Sequence, residues 1–181
     1  KPLVELGGLP LVVRTYLNLK PLEDFGCKVV VAHDSEKIGN ICKSHKIPNT
    51  ITSLELNSGT DRIKEAFEKI RSQENNIKYI LNVQCDEPFL DIEEIKSFMN
   101  TAEAFISDQQ TSAFLNVATC ACPIKSLETW KNPNEVKVII NSQNEALYFS
   151  RAAIPYFRDP TANRTEKLLL NQSQVFKHLG I

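Results

Sequence analysis

The stretch "CKVVVAHDSEKIGNICKSHKI", residues 27–47, decides the fold, because its hydrophobic pattern changes at one acidic residue. The first part is a short, mostly apolar run that ends at Asp34, which is typical of a buried strand in a parallel sheet. In the second part Ile38, Ile41 and Cys42 recur at helical spacing. A strand followed directly by a helix predicts one unit of an α/β fold with a parallel sheet.

The same alternation continues along the chain. "TDRIKEAFEKIRSQ", residues 60–73, places four apolar side chains on one face and predicts an amphipathic helix. "YILNV", residues 79–83, predicts a second buried strand. Asp91 and Glu94 then have the spacing of a capping box with Asp as the cap, which predicts another helix.

Two later patterns predict β structure, and a third predicts a loop. "SAFLNVATCACPI", residues 112–124, offers another strand. In "EVKVIINSQNEALYFSR", residues 135–151, two β-rich runs flank "NSQNE", which indicates a hairpin. "FRDPTANRTEK", residues 157–167, is polar and contains proline, so a mobile loop is expected.

Composition excludes several classes of function. The formal net charge is -1, so the chain lacks the basic footprint of a nucleic-acid-binding protein. No apolar run approaches the roughly 20 residues of a membrane span. The five cysteines are odd in number and lack zinc-site spacing, which favours reduced thiols in a cytoplasmic protein. Because the chain opens on Lys1 and its one methionine is Met99, we expect it to be cut at both ends.

The motif "NVQCDEPFL", residues 82–90, places Asp86 and Glu87 side by side after a predicted strand. Adjacent like charges cost free energy unless a metal ion, a basic partner or solvent compensates them. In open α/β sheets, ligands bind beyond the carboxyl ends of the strands. The motif is therefore a candidate site, and a turn leading into the next helix is the alternative.

The motif "NSGTDR" opens the first predicted amphipathic helix. Ser58 and Thr60 can each cap it, and Gly59 lets a ligand approach the backbone. A helix N-terminus with free N–H groups favours an anion. Arg62 lies in the first turn, where the helix dipole disfavours a cation, so it either meets an acceptor or forms a surface salt bridge with Glu65.

The stretch "ALYFSRAAIPYF", residues 146–157, is a candidate for recognising an acid. Ser150 and Arg151 end its aromatic-rich strand, where an arginine can clamp a carboxylate through two hydrogen bonds. A structural ion pair, for example with Glu145, is the alternative for Arg151. His178 near the end of the chain is either a site residue or a histidine packed in the sheet.

Five segments, in order, resemble the 3-deoxy-D-manno-octulosonate (Kdo) cytidylyltransferases: "KPLVELGGLPLVVRTY", "SGTDRI", "NVQCDEPFL", "NPNEVKVIINSQNEALYFSRAAIPY" and "KHLGI". The resemblance implies an enzyme that couples CTP to the anomeric hydroxyl of Kdo and releases pyrophosphate, for lipopolysaccharide assembly. It also implies an α/β three-layer sandwich with a mostly parallel central sheet and a β-hairpin subregion. We expect one domain over 1–181, with dimerisation and sugar binding in 136–165, a homodimer and a requirement for Mg²⁺.

The resemblance also assigns roles to residues. Asp86 would hold Mg²⁺, and Gln84 would orient substrate and, with Lys1, complete the catalytic set. Lys1 would contact phosphate only if an upstream loop, as in the family's "LPGKPL", completes the site, and the family's second metal-binding Asp lies beyond the end of this chain. The residues expected to bind the nucleotide are Lys1, Ser58, Gly59, Thr60 and Arg62. The residues expected to bind the sugar are Gln84, Ser150, Arg151 and His178.

One motif departs from the family pattern, since Cys85 stands where the family writes the glycine of "QGDEP". If that position needs a positive φ or close ligand approach, cysteine costs about 1 kcal/mol or crowds the site. Two alternatives follow. One is a cytidylyltransferase for another sugar acid, such as a sialic acid or an amino-Kdo. The other is an inactive homologue that serves as a binding module.

Overall fold

The structure is a computed structural model that describes residues 1–72, 76–108, 117–156 and 175–180. The backbone forms two compact units, Lys1–Ala113 and Phe114–Ile181. A single domain over 1–181 stays a prediction. Within the described ranges, no helix is both long enough and apolar enough to cross a membrane. None of the five cysteines forms a disulfide bond, in agreement with the reduced thiols expected from the sequence.

The first unit alternates helices and short strands. Its elements are β1 (Glu5–Leu6), β2 (Leu9–Pro10), α1 (Leu11–Leu19), a 3-10 helix (Lys20–Phe25), β3 (Val31–His33), α2 (Glu36–Ser44), β4 (Asn49–Ile51), α3 (Gly59–Arg71) and α4 (Ile92–Asp108). Strands β1 and β2 are antiparallel, whereas β3 and β4 are parallel, with Val31 opposite Asn49. The strand–helix unit predicted from residues 27–47 is confirmed, although only the last part of its apolar run is paired.

Two apolar clusters form the core of the first unit. Helix α1 contributes to both, because it is buried along most of its length. The first cluster joins α1 to α2 and the chain after it through Val12, Val13, Tyr16, Cys42 and Ile47. The second joins α1, the 3-10 helix and α4 through Leu19, Leu22 and Ile95. Asp91 caps α4 as predicted, since its Oδ1 accepts hydrogen bonds from the N–H groups of Glu93 at 2.8 Å and Glu94 at 3.2 Å.

The prediction of a buried strand over residues 79–83 is wrong. No strand among the described residues pairs with this segment. Tyr79 and Ile80 are 49% and 50% exposed, whereas Leu81 and Val83 pack against the second cluster. The segment is therefore only partly buried, which an apolar run in the sequence does not distinguish from a fully buried strand.

The described part of the second unit contains an antiparallel sheet and one short helix. Its elements are β5 (Cys120–Pro123), α5 (Leu127–Lys131), β6 (Lys137–Ile140), β7 (Ala146–Ser150) and β8 (Val175–Leu179), and the strand order is β5-β8-β6-β7. The predicted hairpin is confirmed as β6 and β7, with Asn144 at a φ of 63° in the turn. Ile124, Trp130 and Val175 form the buried core.

Two sequence predictions fall partly or wholly outside the described residues. The strand expected over 112–124 is confirmed only for Cys120–Pro123. Residues 117–119 and 124 are described but lie outside the strand, and 112–116 are not described. The loop expected over 157–167 lies outside the described residues altogether.

Candidate functional site

Ser58 caps helix α3, and Thr60 lies inside its first turn. The hydroxyl of Ser58 accepts a hydrogen bond from the N–H of Asp61 at 3.1 Å and donates one to the Asp61 carboxylate at 2.7 Å. This reciprocal contact satisfies one of the N–H groups at the helix start, which is the purpose of a side-chain cap. The sequence allowed either residue as the cap, and the structure selects Ser58.

Gly59, the first residue of α3, leaves open space on the surface. A Cβ built there would meet no atom within 4 Å, and its φ lies outside the left-handed region. The backbone conformation therefore does not require glycine at this position. Absence of a side chain instead keeps the first turn of the helix accessible, as the predicted nucleotide-binding role needs.

Arg62 pairs with Asp34 rather than with Glu65, so the proposed Glu65 salt bridge is wrong. Arg62 Nη2 lies 2.7 Å from Asp34 Oδ2, and Nη1 donates to the hydroxyl of Thr52 at 2.6 Å. The carboxylate of Glu65 instead accepts from the N–H of Ser53, at 3.1 and 3.2 Å. Side chains in a helix point toward its N-terminus, so Arg62 reaches back to the carboxyl end of β3.

The acidic motif is a solvent-exposed turn. The side chains of Gln84, Asp86 and Glu87 are exposed, and the N–H of Glu87 donates to the carbonyl of Gln84 at 3.1 Å. Water therefore screens the two adjacent charges, so their proximity costs little in this state. No group of three metal-ligating side chains occurs in the part of the chain that the structure describes.

Cys85 fits its position without the backbone strain that its replacement of glycine suggested. Among the described residues that are not glycine, only Lys46 and Asn144 have positive φ. The side chain of Cys85 packs against the cluster that contains Cys42. Burial raises the pKa of the Cys85 thiol, and the neighbouring Asp86 carboxylate adds to the effect. The thiol is therefore neutral at pH 7.

Helix α1 holds the backbone of the motif "NVQCDEPFL" at two points, a role that the sequence did not indicate. Thr15 donates to the carbonyl of Cys85 at 2.6 Å, and Asn18 donates to the carbonyl of Leu90 at 2.9 Å. The two residues are three apart, so they share one face of the helix. Two small polar side chains at this spacing within the largely apolar "LVVRTYLNL" were the available signal.

Arg151 follows β7 and has an exposed side chain. Its Nη1 donates to the carbonyl of Pro133 at 3.1 Å. The suggested pairing with Glu145 is not seen, because the Glu145 carboxylate accepts from Asn141 Nδ2 at 2.7 Å. Ser150 next to it accepts from the N–H of Ala152 at 3.0 Å. The guanidinium of Arg151 is thus oriented by a backbone carbonyl and stays open to solvent.

His178 packs in the sheet, as the structural alternative predicted. It lies in β8 opposite Ala121, and its Nε2 is 2.8 Å from the hydroxyl of Thr119. The ring of Phe149 meets it edge-on, with centroids 5.3 Å apart. Burial lowers the pKa of His178, so the imidazole is neutral at pH 7. A role in binding sugar stays a prediction.

The predicted site residues fall into two groups. Lys1, Gln84, Asp86 and the residues of "SGTDR" belong to the first unit, and Ser150, Arg151 and His178 belong to the second. Lys1 is exposed, and its carbonyl accepts from the N–H of Val4 at 2.9 Å. Within the first unit, Asp34 and Arg62 join the end of β3 to the start of α3.

Comparison with curated proteins gives relatives that share one name, 3-deoxy-manno-octulosonate cytidylyltransferase. Those from Polynucleobacter necessarius, Francisella tularensis and Helicobacter pylori are 35%, 37% and 39% identical to this chain over its whole length. The chain spans 64%, 66% and 65% of their respective lengths.

A solved structure titled as CMP:2-keto-3-deoxy-manno-octonic acid synthetase complexed with CTP has the same fold. The match has a TM-score of 0.75 at 27% identity and covers 99% of this chain and 65% of that one. The predicted α/β fold class is therefore confirmed. The sequence model described as cytidylyltransferase matches residues 1–179. The chain belongs to the cytidylyltransferase family.

Proposed function

We propose that the protein transfers CMP from CTP to the anomeric hydroxyl of Kdo. The hydroxyl oxygen attacks the α-phosphorus and loses its proton to solvent, the bond from that phosphorus to the bridging oxygen breaks, and pyrophosphate leaves. The observation that supports this most strongly is the fold match, over 99% of the chain, to a synthetase solved with CTP. The names of the relatives, at 35% to 39% identity, support Kdo as the acceptor.

The first unit binds the nucleotide in this proposal. The start of α3 offers an accessible first turn at Gly59, between the cap Ser58 and Thr60, where N–H groups favour an anion or a polar ring edge. The guanidinium of Arg62 lies at this end of the helix. Two of its five N–H donors bind Asp34 and Thr52, and donors remain that can bind the nucleotide. Lys1 adds a cation to the phosphate side.

Mg²⁺ is the expected cofactor, with Asp86 as its protein ligand. The residues present fit this ion, because Asp86 is an exposed carboxylate in a turn whose backbone is fixed by Thr15. Magnesium commonly binds through one or two carboxylates plus substrate phosphates and water, so Asp86 can supply one of the protein ligands. When bound, the ion neutralises charge on the phosphates. Gln84, exposed on the same turn, orients the substrate with its amide.

The second unit recognises the sugar acid. Arg151 is exposed, and its planar fork matches the two oxygens of the Kdo carboxylate. Ser150 lies next to it at the end of β7, and its hydroxyl can still donate a hydrogen bond, because its oxygen acts as an acceptor for Ala152. His178 is neutral at pH 7, so its ring can exchange hydrogen bonds with a sugar hydroxyl rather than compete for the carboxylate.

A homodimer and a cytoplasmic location complete the proposal. Strand β7 is at the edge of its sheet among the described strands, and its side chains Leu147 and Tyr148 are 64% and 61% exposed. An apolar edge strand pairs readily with another chain, and a second copy would cover it. Five cysteines that form no disulfide bond suit a reducing compartment, where CTP is also available.

Pyrophosphate release tests the proposal. The purified protein receives CTP and Mg²⁺ with Kdo, an amino-Kdo or a sialic acid in separate reactions. We expect Kdo to give the highest kcat/KM, whereas a higher value for another acid would reassign the acceptor. CTP binding by calorimetry without turnover on any acid would favour the inactive binding module, for which the replacement of the motif glycine by Cys85 is the specific support.

A further inference from the structure

The ammonium group of Lys137 is fully buried and bound by backbone alone. Lys137 is 0% exposed. Its Nζ donates to the carbonyl oxygens of Asn132 at 2.8 Å, Glu135 at 2.6 Å and Arg151 at 2.8 Å. A lysine has three N–H donors, so each of them has one acceptor. The Glu135 carboxylate is paired elsewhere, with Lys177 at 3.3 Å.

These three carbonyls join two separate parts of the second unit. Asn132 and Glu135 lie in the segment that connects α5 to β6, and Arg151 directly follows β7. Lys137 faces Ser150 across the hairpin, so its side chain reaches the point where β7 ends. The side chain of Arg151 returns to the same connecting segment, at the carbonyl of Pro133. Both the backbone and the guanidinium of Arg151 are therefore held against one segment.

A second buried donor holds the chain just beyond Arg151. Trp130 is 8% exposed, and its indole Nε1 donates to the carbonyl of Ile154 at 2.8 Å. The backbone from Arg151 to Ile154 is thus fixed at both ends by side chains from the core.

Core packing alone does not account for a lysine at this position. An apolar side chain of similar length would fill the space without the free-energy cost of burying a charge. A buried polar group whose hydrogen bonds are all satisfied fixes one arrangement of the groups around it. The arrangement fixed here is the path of residues 151–154.

We propose that Lys137 and Trp130 are positioning residues for acceptor recognition. They hold the backbone of residues 151–154 so that Arg151 presents its guanidinium in one orientation to the carboxylate of a sugar acid. The acceptor part of this proposal rests on the function proposed above. Neither residue contacts the acceptor, and both act through the segment that carries Arg151.

The first test does not depend on catalysis. An arginine-specific protease cuts the bond after Arg151 only if that backbone leaves its place, since Lys137 binds the carbonyl of the bond to be cut. The rate of cleavage after Arg71, whose side chain is exposed, serves as an internal reference. The measured quantity is the ratio of the cleavage rate after Arg151 to the cleavage rate after Arg71. We expect the ratio to rise about tenfold in Lys137→Met, because cleavage follows the population of the open segment. Lys131→Met, a nearby exposed lysine, is the matched control and should leave the ratio unchanged.

The second test follows the acceptor. We expect Lys137→Met to raise the KM for Kdo about tenfold and to leave the KM for CTP within about twofold. In an Arg151→Ala background the same substitution should have no further effect, since residues that act through one another are not additive. Trp130→Phe keeps an aromatic ring in the core but removes the indole N–H donor. It should therefore raise the cleavage ratio and the KM for Kdo severalfold.

The outcomes separate this proposal from the proposed function. Absence of turnover with every sugar acid in the wild type would refute the function, and the cleavage ratio would still decide the positioning role. Turnover on Kdo combined with equal cleavage ratios in Lys137→Met and Lys131→Met would overturn the positioning role alone. If Lys137→Met does not fold, Trp130→Phe decides, and an unchanged ratio in that variant overturns the proposal.

Discussion

The guanidinium of Arg62 lies 2.7 Å from the carboxylate of Asp34, and this pair joins the first turn of α3 to the end of β3. The side chains are 19% and 37% exposed, so the contact is partly shielded from water. The pair explains a cation at a helix start, where the dipole disfavours positive charge, because Asp34 supplies an opposing charge. It also brings the end of β3 next to the "SGTDR" motif, a contact that the sequence did not suggest.

Replacing Arg62 should affect both stability and nucleotide use. Arg62→Ala removes the contacts with Asp34 and Thr52 and leaves the carboxylate half-buried without its partner. We expect a loss of about 1–2 kcal/mol in the free energy of unfolding by urea. The KM for CTP should rise more than the KM for Kdo.

The matched control for this substitution is Arg71→Ala. Arg71 pairs with Glu68 at 2.9 Å, but both side chains are about half exposed, at 59% and 47%. An exposed pair of this kind contributes less than about 1 kcal/mol. An equal decrease in the free energy of unfolding in Arg62→Ala and Arg71→Ala would show that the Arg62–Asp34 pair stabilises the protein no more than an exposed pair does. A rise in the KM for Kdo alone would move Arg62 to the acceptor side.

Asp86→Asn should reduce turnover on the order of a hundredfold or more at saturating Mg²⁺, because the amide is a poor ligand for a hard cation. The fold should survive, since Asp86 is exposed in a turn. Steady-state kinetics and a urea titration measure the two effects. Glu87→Gln, the adjacent exposed carboxylate, should change turnover little, and a larger effect from Glu87 than from Asp86 would reverse their roles.

Cys85→Gly should destabilise the protein rather than relieve strain. The side chain of Cys85 packs against the core cluster and its φ is negative, so the family glycine is not needed for the backbone seen here. Loss of buried surface and the higher chain entropy of glycine together should cost about 1–2 kcal/mol in the free energy of unfolding. Cys85→Ala, which tests side-chain burial without the glycine effect, should cost less. A more stable Cys85→Gly variant would show that the thiol crowds the motif.

His178 should make stability depend on pH below neutrality. Burial lowers its pKa in the folded state, whereas the unfolded chain keeps a value of about 6.5. As the pH falls below about 6.5 the unfolded chain binds the proton first, so the free energy of unfolding decreases on acidification. His178→Gln, which can still hydrogen-bond Thr119, should show a shallower decrease between pH 7 and 5 in urea titrations. Parallel curves for the two proteins would contradict the shift, since the other histidines contribute equally to both.

The sequence predicted elements whose pattern is local. The spacing of Ile38, Ile41 and Cys42 was sufficient for α2, and the turn "NSQNE" was sufficient for the β6–β7 hairpin. It failed for residues 79–83, because whether an apolar run is buried on one side or two depends on neighbours distant in sequence. It also missed β4 and β8, whose short runs become strands only by pairing with β3 and with β5 and β6.

In the candidate site, too, the sequence predicted what depends on neighbouring residues and missed contacts between residues distant in sequence. Ser58 and Thr60 as candidate caps follow from consecutive residues, and the structure selects Ser58. The partner of Arg62 lies 28 positions away, so the sequence could suggest an acceptor without identifying Asp34. The sequence did not indicate that Lys137 is buried, because its hydrogen-bond acceptors are backbone carbonyls, which every residue has. Long-range contacts of this kind depend on the folded backbone rather than on a sequence pattern.

Phosphorus NMR of a reaction that contains the protein, CTP, Mg²⁺ and Kdo tests the proposed transfer most directly. We expect a phosphodiester resonance from CMP-Kdo and a pyrophosphate resonance to appear in equal amounts as the CTP signals decline. Neither product should form when Kdo is omitted. Unchanged CTP resonances in the complete reaction, under conditions in which calorimetry shows that CTP is bound, would contradict the account.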